Sequence, residues 1–133
     1  MITYSGNKTI TATEFIDVLK RSTLAERRPV DDVERIQTML DHGNILVTAW
    51  DGDLLVGVSR ALTDYVFCTY LSDLAVDESY QHQGIGKTLI YQTHETAGLK
   101  TALILLAAPA AVAYYPKVGM TQTSACFFIP RKD

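Results

Sequence analysis

The sequence predicts one α/β domain in which helices pack on the faces of a mixed β-sheet. Two observations support this prediction. Segments with strand and helix periodicity follow each other in the order β-α-α-β-β-β-α-β-α-β. Residues 101–106 carry no charge and are apolar after Thr101, as in strands that are buried on both faces. The 133 residues suffice for a single core, and neither a repeat nor a linker-like stretch divides them, so we assign residues 1–133 to one domain.

The N-terminal part predicts a short strand and two amphipathic helices. The strand, residues 1–5, ends in a Gly-Asn turn. Thr11 or Thr13 can cap the first helix, because a threonine side chain accepts a hydrogen bond from a free N–H group of the first turn. The second helix is expected to begin at Pro29, whose fixed φ suits a first helical position, and to end at Gly43.

A hairpin and a central strand follow. Residues 44–50 and 54–62 are strand-like and flank a Gly-containing turn, which predicts a β-hairpin. Residues 65–76 are rich in aromatic and β-branched side chains, so we expect this strand to lie inside the sheet.

The remaining part of the chain predicts two further helices and two further strands. A polar loop, residues 77–83, leads into a helix over residues 84–96, and the apolar strand follows it. A short helix then opens at Pro109, and residues 124–129 are expected to form a last strand. The predicted sheet is mostly antiparallel and has about six strands, flanked by about four helices.

The composition argues against several classes of function. Twelve basic residues stand against 15 acidic ones, and a net charge of −3 without a basic run speaks against nucleic-acid binding. The N-terminus lacks the features of a signal peptide and no apolar run reaches the roughly 20 residues of a membrane span, so we expect a cytoplasmic protein without membrane contact. Cys68 and Cys126 are expected to be free thiols, and no His/Cys cluster predicts a metal site.

A glycine-rich segment at the start of the third predicted helix indicates an anion-binding site. The first N–H groups of a helix have no internal partners and carry the positive end of its dipole. Gly84 and Gly86 have no Cβ atoms, so an anion can approach this backbone closely. A P-loop requires glycine where the chain has Gln81, and a dinucleotide-binding fingerprint requires glycine where it has Leu89.

The pattern that remains, Gln81-x-x-Gly84-x-Gly86, resembles the acetyl-CoA loop of the GCN5-related N-acetyltransferases, the GNAT family. Residues 111–120, Ala-Val-Ala-Tyr-Tyr-Pro-Lys-Val-Gly-Met, are similar to the late segment of that family, aromatic-Tyr-x-Lys-x-Gly-Phe. Both motifs have the family's spacing and element order, and the resemblance extends over about residues 45–120. It implies the GNAT fold and a metal-free transfer of an acetyl group from acetyl-CoA to an amine, by direct attack in a ternary complex.

The resemblance also implies which residues bind acetyl-CoA. Backbone amides of the glycine segment would hold the pyrophosphate and Gln81 would brace the loop, while Lys87 would either add charge or be a solvated first-turn lysine. The pantetheine arm would pair with an exposed strand edge, where the N–H of Val76 would polarise the thioester carbonyl. The implied cofactor-binding residues are Leu74, Ala75, Val76, Gln81, His82, Gln83, Gly84, Ile85, Gly86, Lys87 and Thr88.

Three residues are candidates for proton transfer. Tyr115 matches the family's tyrosine and would donate a proton to the departing thiolate; the alternative is an aromatic residue that only packs, with Tyr114 as the core member. Asp73 interrupts an apolar strand and is either the general base or a hydrogen-bonded structural residue. Glu26 lies between the first two helices and is either a second candidate base or a solvated charge.

Two departures from the family pattern leave alternatives open. Ala108 stands where relatives often have an asparagine that touches the CoA arm. Only 13 residues follow Met120, room for one strand where relatives usually have two, so another subunit could complete the acceptor side in a homodimer. The alternative to an enzyme acting on a small-molecule amine is a non-catalytic CoA-binding sensor or interaction module on the same fold; a protein or peptide N-acetyltransferase ranks behind both.

Overall fold

A single five-stranded sheet organises the computed structural model, which describes residues 1–132. The strands lie side by side in chain order, and neighbouring strands are antiparallel except for the last two, which are parallel. This arrangement confirms the mixed, mostly antiparallel sheet that the sequence predicts. The strands are β1 (Ile2–Ser5), β2 (Ile45–Asp51), β3 (Leu54–Thr63), β4 (Cys68–Val76) and β5 (Ala102–Ile104).

Four α-helices accompany the sheet in the described residues: α1 (Ala12–Ser22), α2 (Val33–His42), α3 (Ile85–Ala97) and the short α4 (Tyr114–Lys117). Thr11 caps α1, because its hydroxyl oxygen accepts the N–H of Glu14 at 3.1 Å while a Glu14 carboxylate oxygen accepts the N–H of Thr11 at 2.9 Å. None of these helices has the length and hydropathy needed to cross a bilayer.

The second helix begins later than the sequence predicts. Pro29 lies in a turn, and α2 starts at Val33. The reason is the side chain of Asp32, which accepts the N–H of Arg35 at 3.1 Å and so makes Asp32 the N-cap. Between α1 and α2 the chain forms a single 3-10 turn, Leu24–Arg27.

The core consists of two apolar clusters that the sheet separates. One lies between the sheet and the α1–α2 pair and contains the fully buried Phe15, Leu19 and Ile36. The other lies between the sheet and α3 and contains Val47 and Leu89, also fully buried. These clusters cover both sides of β2 and β3, which explains why the two strands carry nearly continuous apolar runs.

The predicted sixth strand is wrong. Residues 124–129 form no strand in the structure, and β5 covers only Ala102–Ile104 of the predicted residues 101–106. A strand requires a neighbour for its backbone groups, and within residues 1–132 none lies on the far side of β5. Residues 124–129 therefore have the sequence pattern of a strand but do not form one in this structure.

The parallel pairing of β4 with β5 is short, and it leaves half of β4 without a neighbour on that side. The register runs from Cys68 opposite Ala102 to Tyr70 opposite Ile104 and then stops. A β-bulge follows at Ser72, because Arg60 of β3 is opposite Asp73 and the next residue of β3 is opposite Leu71. From residue 71 to residue 76, β4 thus has a free edge.

Candidate functional site

The free edge of β4 presents backbone hydrogen-bonding groups at alternate residues. The N–H of Asp77 donates to the carbonyl of Val56 in β3 at 2.8 Å, so the preceding residue, Val76, directs its N–H and C=O away from β3. The same alternation directs the backbone groups of Leu74 outward. The site predicted at residues 74–76 therefore has donors and acceptors available for an extended partner.

Hydrogen bonds and an ion pair fix the loop after β4 at Asp77 and at Tyr80. The Asp77 carboxylate accepts the N–H of Ser79 at 2.8 Å and pairs with the Arg21 guanidinium of α1 at 2.5 Å. Although burial opposes ionisation, the hydrogen bonds from Arg21 and Ser79 lower the pKa of Asp77 below its ordinary value. On the other side, the Tyr80 hydroxyl donates to the Asp51 carboxylate at 2.6 Å. These contacts fix the position from which α3 begins.

The start of α3 has an open approach at Gly84. This residue is the N-cap, its φ of 79° is in the left-handed region, and a Cβ built there meets nothing within 4 Å. Glycine provides no side-chain acceptor, so the N-cap residue leaves the N–H groups of the first turn without a side-chain cap. His82, with a φ of 67°, shares the left-handed conformation just before it. The loop thus leads into an uncapped helix start, as an anion site requires.

Gly86 does not face open space, although the sequence suggests that both glycines leave room for an anion. A Cβ at this position would lie 2.3 Å from the hydroxyl oxygen of Tyr114. The second glycine of the motif therefore makes room for a tyrosine of α4, whereas only Gly84 faces open space. Tyr114 is at the mouth of the loop and half-exposed, so the expectation that it is the core member of the tyrosine pair is wrong.

The other polar residues of the segment lie on its surface. Gln81 donates through its side-chain amide to the carbonyl oxygen of Val76 at 3.3 Å and thereby connects the loop to the end of β4. Lys87 is exposed, and its ammonium nitrogen lies 5.9 Å from the ring centroid of Tyr91, one turn further along α3. His82 and Gln83 are exposed as well. The Thr88 hydroxyl donates to the carbonyl oxygen of Gly84 at 3.0 Å.

Tyr115 is the more buried of the two adjacent tyrosines. Its ring meets that of Tyr114 edge-on, with centroids 5.3 Å apart, and it packs against the cluster beneath α3. Burial raises the pKa of Tyr115, the neighbouring Tyr114 adds to this, and the positive charge of Arg28 opposes it. Tyr115 is therefore a protonated phenol at neutral pH.

Asp73 is fully buried and lies between two guanidinium groups. One carboxylate oxygen accepts from Nε of Arg28 and the other from Nε of Arg60. Arg28 also donates to the carbonyl of Ser72 at 2.7 Å, so it joins the α1–α2 connection to the bulge of β4. This surrounding matches the structural interpretation of Asp73, since both oxygens are already engaged.

The structure brings some predicted residues together and separates others. Leu74, Val76 and Tyr115 all border the cluster beneath α3. Asp73 points to the opposite face of the sheet, and Glu26 is exposed on the 3-10 turn after α1. The arginine partners of Asp73 were not predicted, although a signal existed: Arg60 interrupts the apolar strand β3 much as Asp73 interrupts β4. Among residues 1–132, no group of His, Cys, Asp and Glu could hold a metal ion.

Comparisons with known proteins identify relatives of this chain. The family model described as "Acetyltransferase (GNAT) family" matches residues 12–120. An uncharacterized ycf52-like N-acetyltransferase of Prochlorococcus marinus is 27% identical in an alignment of 113 positions that covers 80% of this chain; the chain spans only 61% of that relative's length.

Solved structures share the fold across nearly the whole chain. A GNAT-family acetyltransferase of Streptococcus pneumoniae superposes with a TM-score of 0.74 at 22% identity, over 99% of this chain and 100% of the other. An aminoglycoside acetyltransferase from an uncultured soil metagenomic sample, in complex with trehalose, gives a TM-score of 0.68 at 21% identity, over 98% and 97% of the two chains.

Proposed function

Because the chain belongs to the GNAT family of acetyltransferases, we propose that it transfers the acetyl group of acetyl-CoA to an amine of a small molecule, by direct attack in a ternary complex. The observation that carries this proposal is the junction of the free β4 edge with the uncapped start of α3. An extended amide-rich arm fits the edge and a diphosphate fits the helix start, and the two features are contiguous in the chain.

The proposed roles of the binding residues follow from this geometry. The outward backbone groups of Leu74 and Val76 pair with the amides of the pantetheine arm, with Ala75 between them. The free first-turn N–H groups, from Ile85 to Lys87, hold the diphosphate at the open approach of Gly84, while the N–H of Thr88 donates to the Gly84 carbonyl and closes the first turn. Gln81 keeps the loop against β4, and His82, Gln83 and Lys87 line its exposed side.

The proposed chemistry uses groups of this chain at each step. Bound acetyl-CoA supplies an activated thioester. The N–H of Val76 donates to the carbonyl oxygen of that thioester and stabilises the negative charge that develops there as the amine attacks. As the new C–N bond forms and the C–S bond breaks, the Tyr115 hydroxyl gives its proton to the sulfur. The amine loses its proton to a base or to water.

Glu26 is the better of the two predicted bases, since it is exposed and accepts no side-chain hydrogen bond within the described residues. Asp73, by contrast, has both carboxylate oxygens on guanidinium groups. We therefore assign Asp73 a structural role and keep Glu26 as the candidate that receives the amine proton, directly or through water.

The proposal is tested by thiol release from acetyl-CoA with a panel of amines that includes polyamines, aminoglycosides, aryl amines and amino acids. We expect turnover with at least one acceptor, and Tyr115→Phe should lower kcat about 100-fold or more while acetyl-CoA still binds by calorimetry. Tyr4→Phe makes the same change on the far strand β1 and should leave kcat unchanged. Full activity of Tyr115→Phe would remove this residue from the acid role.

The same panel decides between an enzyme and the alternative, a non-catalytic CoA-binding module on this fold. The observation that favours this alternative is the Asp73 carboxylate, because Arg28 and Arg60 engage both of its oxygens. Tight binding of acetyl-CoA without turnover on small amines or on peptides would favour the binding module. Turnover restricted to peptides would instead indicate a protein or peptide N-acetyltransferase.

A further inference from the structure

Three exposed apolar side chains form a row across the sheet, on the face that the α1–α2 pair partly covers. Leu62 of β3 is opposite Tyr70 of β4, and Tyr70 is opposite Ile104 of β5, so the three side chains share one face. The next residue of β4, Leu71, belongs to the cluster beneath α3, which puts the row on the other face. We call these three residues, which are 42%, 37% and 59% exposed, the apolar row.

The α1–α2 pair covers this face only as far as Arg60. The Arg60 guanidinium donates to the carbonyl oxygen of Met39 at 3.1 Å, and a Cβ at Gly43, where α2 ends, would lie 3.0 Å from Cγ of Arg60. The next residue of β3 on this face is Leu62, which is exposed. A contiguous exposed apolar patch beside polar groups is typical of a ligand-binding surface.

The apolar row borders the gap between β4 and β5. These strands pair only as far as Tyr70 and Ile104, and in the described part of the chain no pairing continues beyond them. The site proposed for acetyl-CoA uses the β4 edge within this gap, and α3, whose start would hold the diphosphate, packs on the opposite face. An acceptor on the apolar row would therefore reach the thioester from the face that the cofactor leaves free.

The guanidinium group of Arg28 lies next to the apolar row. It donates to the carbonyl oxygen of Ser72 at 2.7 Å, and Ser72 is two residues beyond Tyr70. With its bonds to Asp73 and to the carbonyl oxygen of Arg27, three of its five N–H groups are engaged within the described residues, so two are left for a ligand. The side chain is 20% exposed and thus accessible from solvent.

The charges around Asp73 favour an anionic group in this place. One carboxylate lies between the two guanidinium groups of Arg28 and Arg60, which leaves a net positive charge. This charge repels a polycationic acceptor and attracts a carboxylate. It also acts at the candidate acid: burial and the neighbouring Tyr114 raise the pKa of Tyr115, and the positive charge of Arg28 opposes them.

We propose that the acceptor is an amino acid with a large apolar side chain, which lies on the apolar row while its carboxylate pairs with Arg28. This inference rests on the proposed function, since it names the amine that receives the acetyl group. The neutral α-amino group attacks the carbonyl carbon of the thioester. The C–N bond forms, the C–S bond breaks, the sulfur takes the proton of Tyr115, and the amine gives one proton to Glu26 or to water. The products are an N-acetyl amino acid and CoA.

A series of four amines tests the proposal on the unmodified chain. L-Phenylalanine carries both features, phenethylamine lacks the carboxylate, L-alanine lacks the apolar body, and spermidine is a polycation. We expect kcat/KM for phenylalanine to exceed the values for the other three by about tenfold or more, because a charge-assisted pair and apolar burial are each worth about that much. A value for phenylalanine equal to or below that of phenethylamine or alanine would overturn the proposal.

Calorimetry in the presence of CoA separates this inference from the proposed function, because it detects binding of the amino acid without transfer. Binding of phenylalanine but not of phenethylamine, without any turnover, would refute the enzyme and support the ligand preference. Turnover with spermidine or aryl amines, without binding of phenylalanine, would support the enzyme and refute this inference. A lack of phenylalanine binding overturns the inference in either case.

Arg28→Gln tests the partner of the carboxylate. Asp73 keeps Arg60 as its counter-charge in this variant. We expect kcat/KM for phenylalanine to fall about tenfold relative to the value for phenethylamine, and this ratio cancels any loss of stability that affects both substrates alike. Arg28→Lys keeps the charge and should retain most of the preference. An unchanged ratio in Arg28→Gln would show that the carboxylate does not pair with Arg28.

Ile104→Ser tests the apolar row next to the gap. We expect KM for phenylalanine to rise about fivefold and KM for alanine to stay unchanged, since only the larger side chain loses a contact. Leu54→Ser is the control: Leu54 is 44% exposed and lies in β3 eight residues from Leu62, about 26 Å along the strand, so both KM values should stay unchanged. Equal effects of the two variants would contradict binding on the apolar row.

Discussion

The hydroxyl oxygen of Tyr114 occupies the space in which a Cβ of residue 86 would lie, at 2.3 Å from that position. Gly86 in α3 and Tyr114 in α4 are thus a matched pair, although 28 residues separate them in the chain. Because Tyr115 follows directly, the contact also sets how closely the candidate acid approaches the start of α3.

Gly86→Ala should therefore impair the site more than the fold. Alanine favours the helix by about 0.5–1 kcal/mol, which offsets part of the clash, so we expect the free energy of unfolding to change by no more than about 1 kcal/mol. The added methyl displaces Tyr114 and with it Tyr115, and we expect kcat to fall about tenfold or more. Urea unfolding and steady-state kinetics measure the two effects.

Removal of the hydroxyl in the double variant Gly86→Ala/Tyr114→Phe should restore most of the activity, since the next ring atom lies 3.3 Å from the built Cβ. Tyr114→Phe alone is the control and should be close to wild type. A double variant as impaired as Gly86→Ala would show that the methyl acts on something other than Tyr114.

Asp77→Asn should destabilise the chain at neutral pH by about 2–3 kcal/mol, because it removes a nearly buried carboxylate that pairs with Arg21. The pKa of Asp77 is lowered in the folded state, so its contribution is present above the unfolded value of about 4 and is lost as the pH falls through the lower folded value. Urea titrations at pH 7 and pH 2.5 should show that the difference between wild type and variant shrinks in acid.

Asp17→Asn is the matched control for that experiment. Asp17 pairs with the same arginine, but its side chain is 61% exposed, so the substitution should cost less than about 1 kcal/mol at either pH. Equal effects of the two variants would show that the loop after β4 does not depend on the Asp77 contact.

Asp73→Asn should unfold the chain at a markedly lower urea concentration. It leaves the guanidinium groups of Arg28 and Arg60 without their counter-charge in a buried place, at a cost of about 3–5 kcal/mol. Glu26→Gln should leave stability unchanged and, if Glu26 receives the amine proton, should lower kcat. A stable Asp73→Asn chain that binds acetyl-CoA normally but has lost its kcat would instead assign the base to Asp73.

The pH dependence of Tyr115 has a defined direction. Burial raises the pKa of this phenol, so the proton-donating form persists above the ordinary value of about 10. The same shift stabilises the fold below pH 10, and this contribution is lost as the pH rises through the folded-state pKa. Absorbance titration near 295 nm should show that Tyr115→Phe removes a late-titrating tyrosine; removal of an early one would contradict the burial of Tyr115.

Much of the fold follows from local patterns in the sequence, and the exceptions have a common cause. The cap at Thr11, the central hairpin and the helix after the glycine loop depend on residues close in the chain. The prediction of a sixth strand was wrong because strand pairing depends on residues that are distant in the chain, and residues 124–129 have no neighbouring strand within the part of the chain that the structure describes. Arg28 and Arg60 meet Asp73 from 45 and 13 residues away, a distance over which periodicity carries no information.

In the candidate site, too, one part could be predicted from local sequence and another part could not. The position of Gly84 at the start of α3 was predictable, because glycine is the residue that most readily adopts a left-handed conformation where a chain turns into a helix. The reason for Gly86 was not, because it depends on where the short α4 returns to the sheet. What a glycine makes room for is a property of the tertiary structure.

One extra residue in β4 has a consequence for how this strand tolerates change. Before Ser72, the odd-numbered Leu71 faces α3; after it, the odd-numbered Asp73 and Ala75 face α1 and α2. The residues of β4 that face α3 therefore change from odd-numbered to even-numbered positions just after the pairing with β5 ends. Deleting Ser72 would shift the register of the residues that follow it by one. The Asp73 carboxylate would then face the apolar layer beneath α3, and the outward backbone groups of Leu74 and Val76 would turn toward β3. The deletion would also remove the hydroxyl that accepts from Arg60 at 3.1 Å.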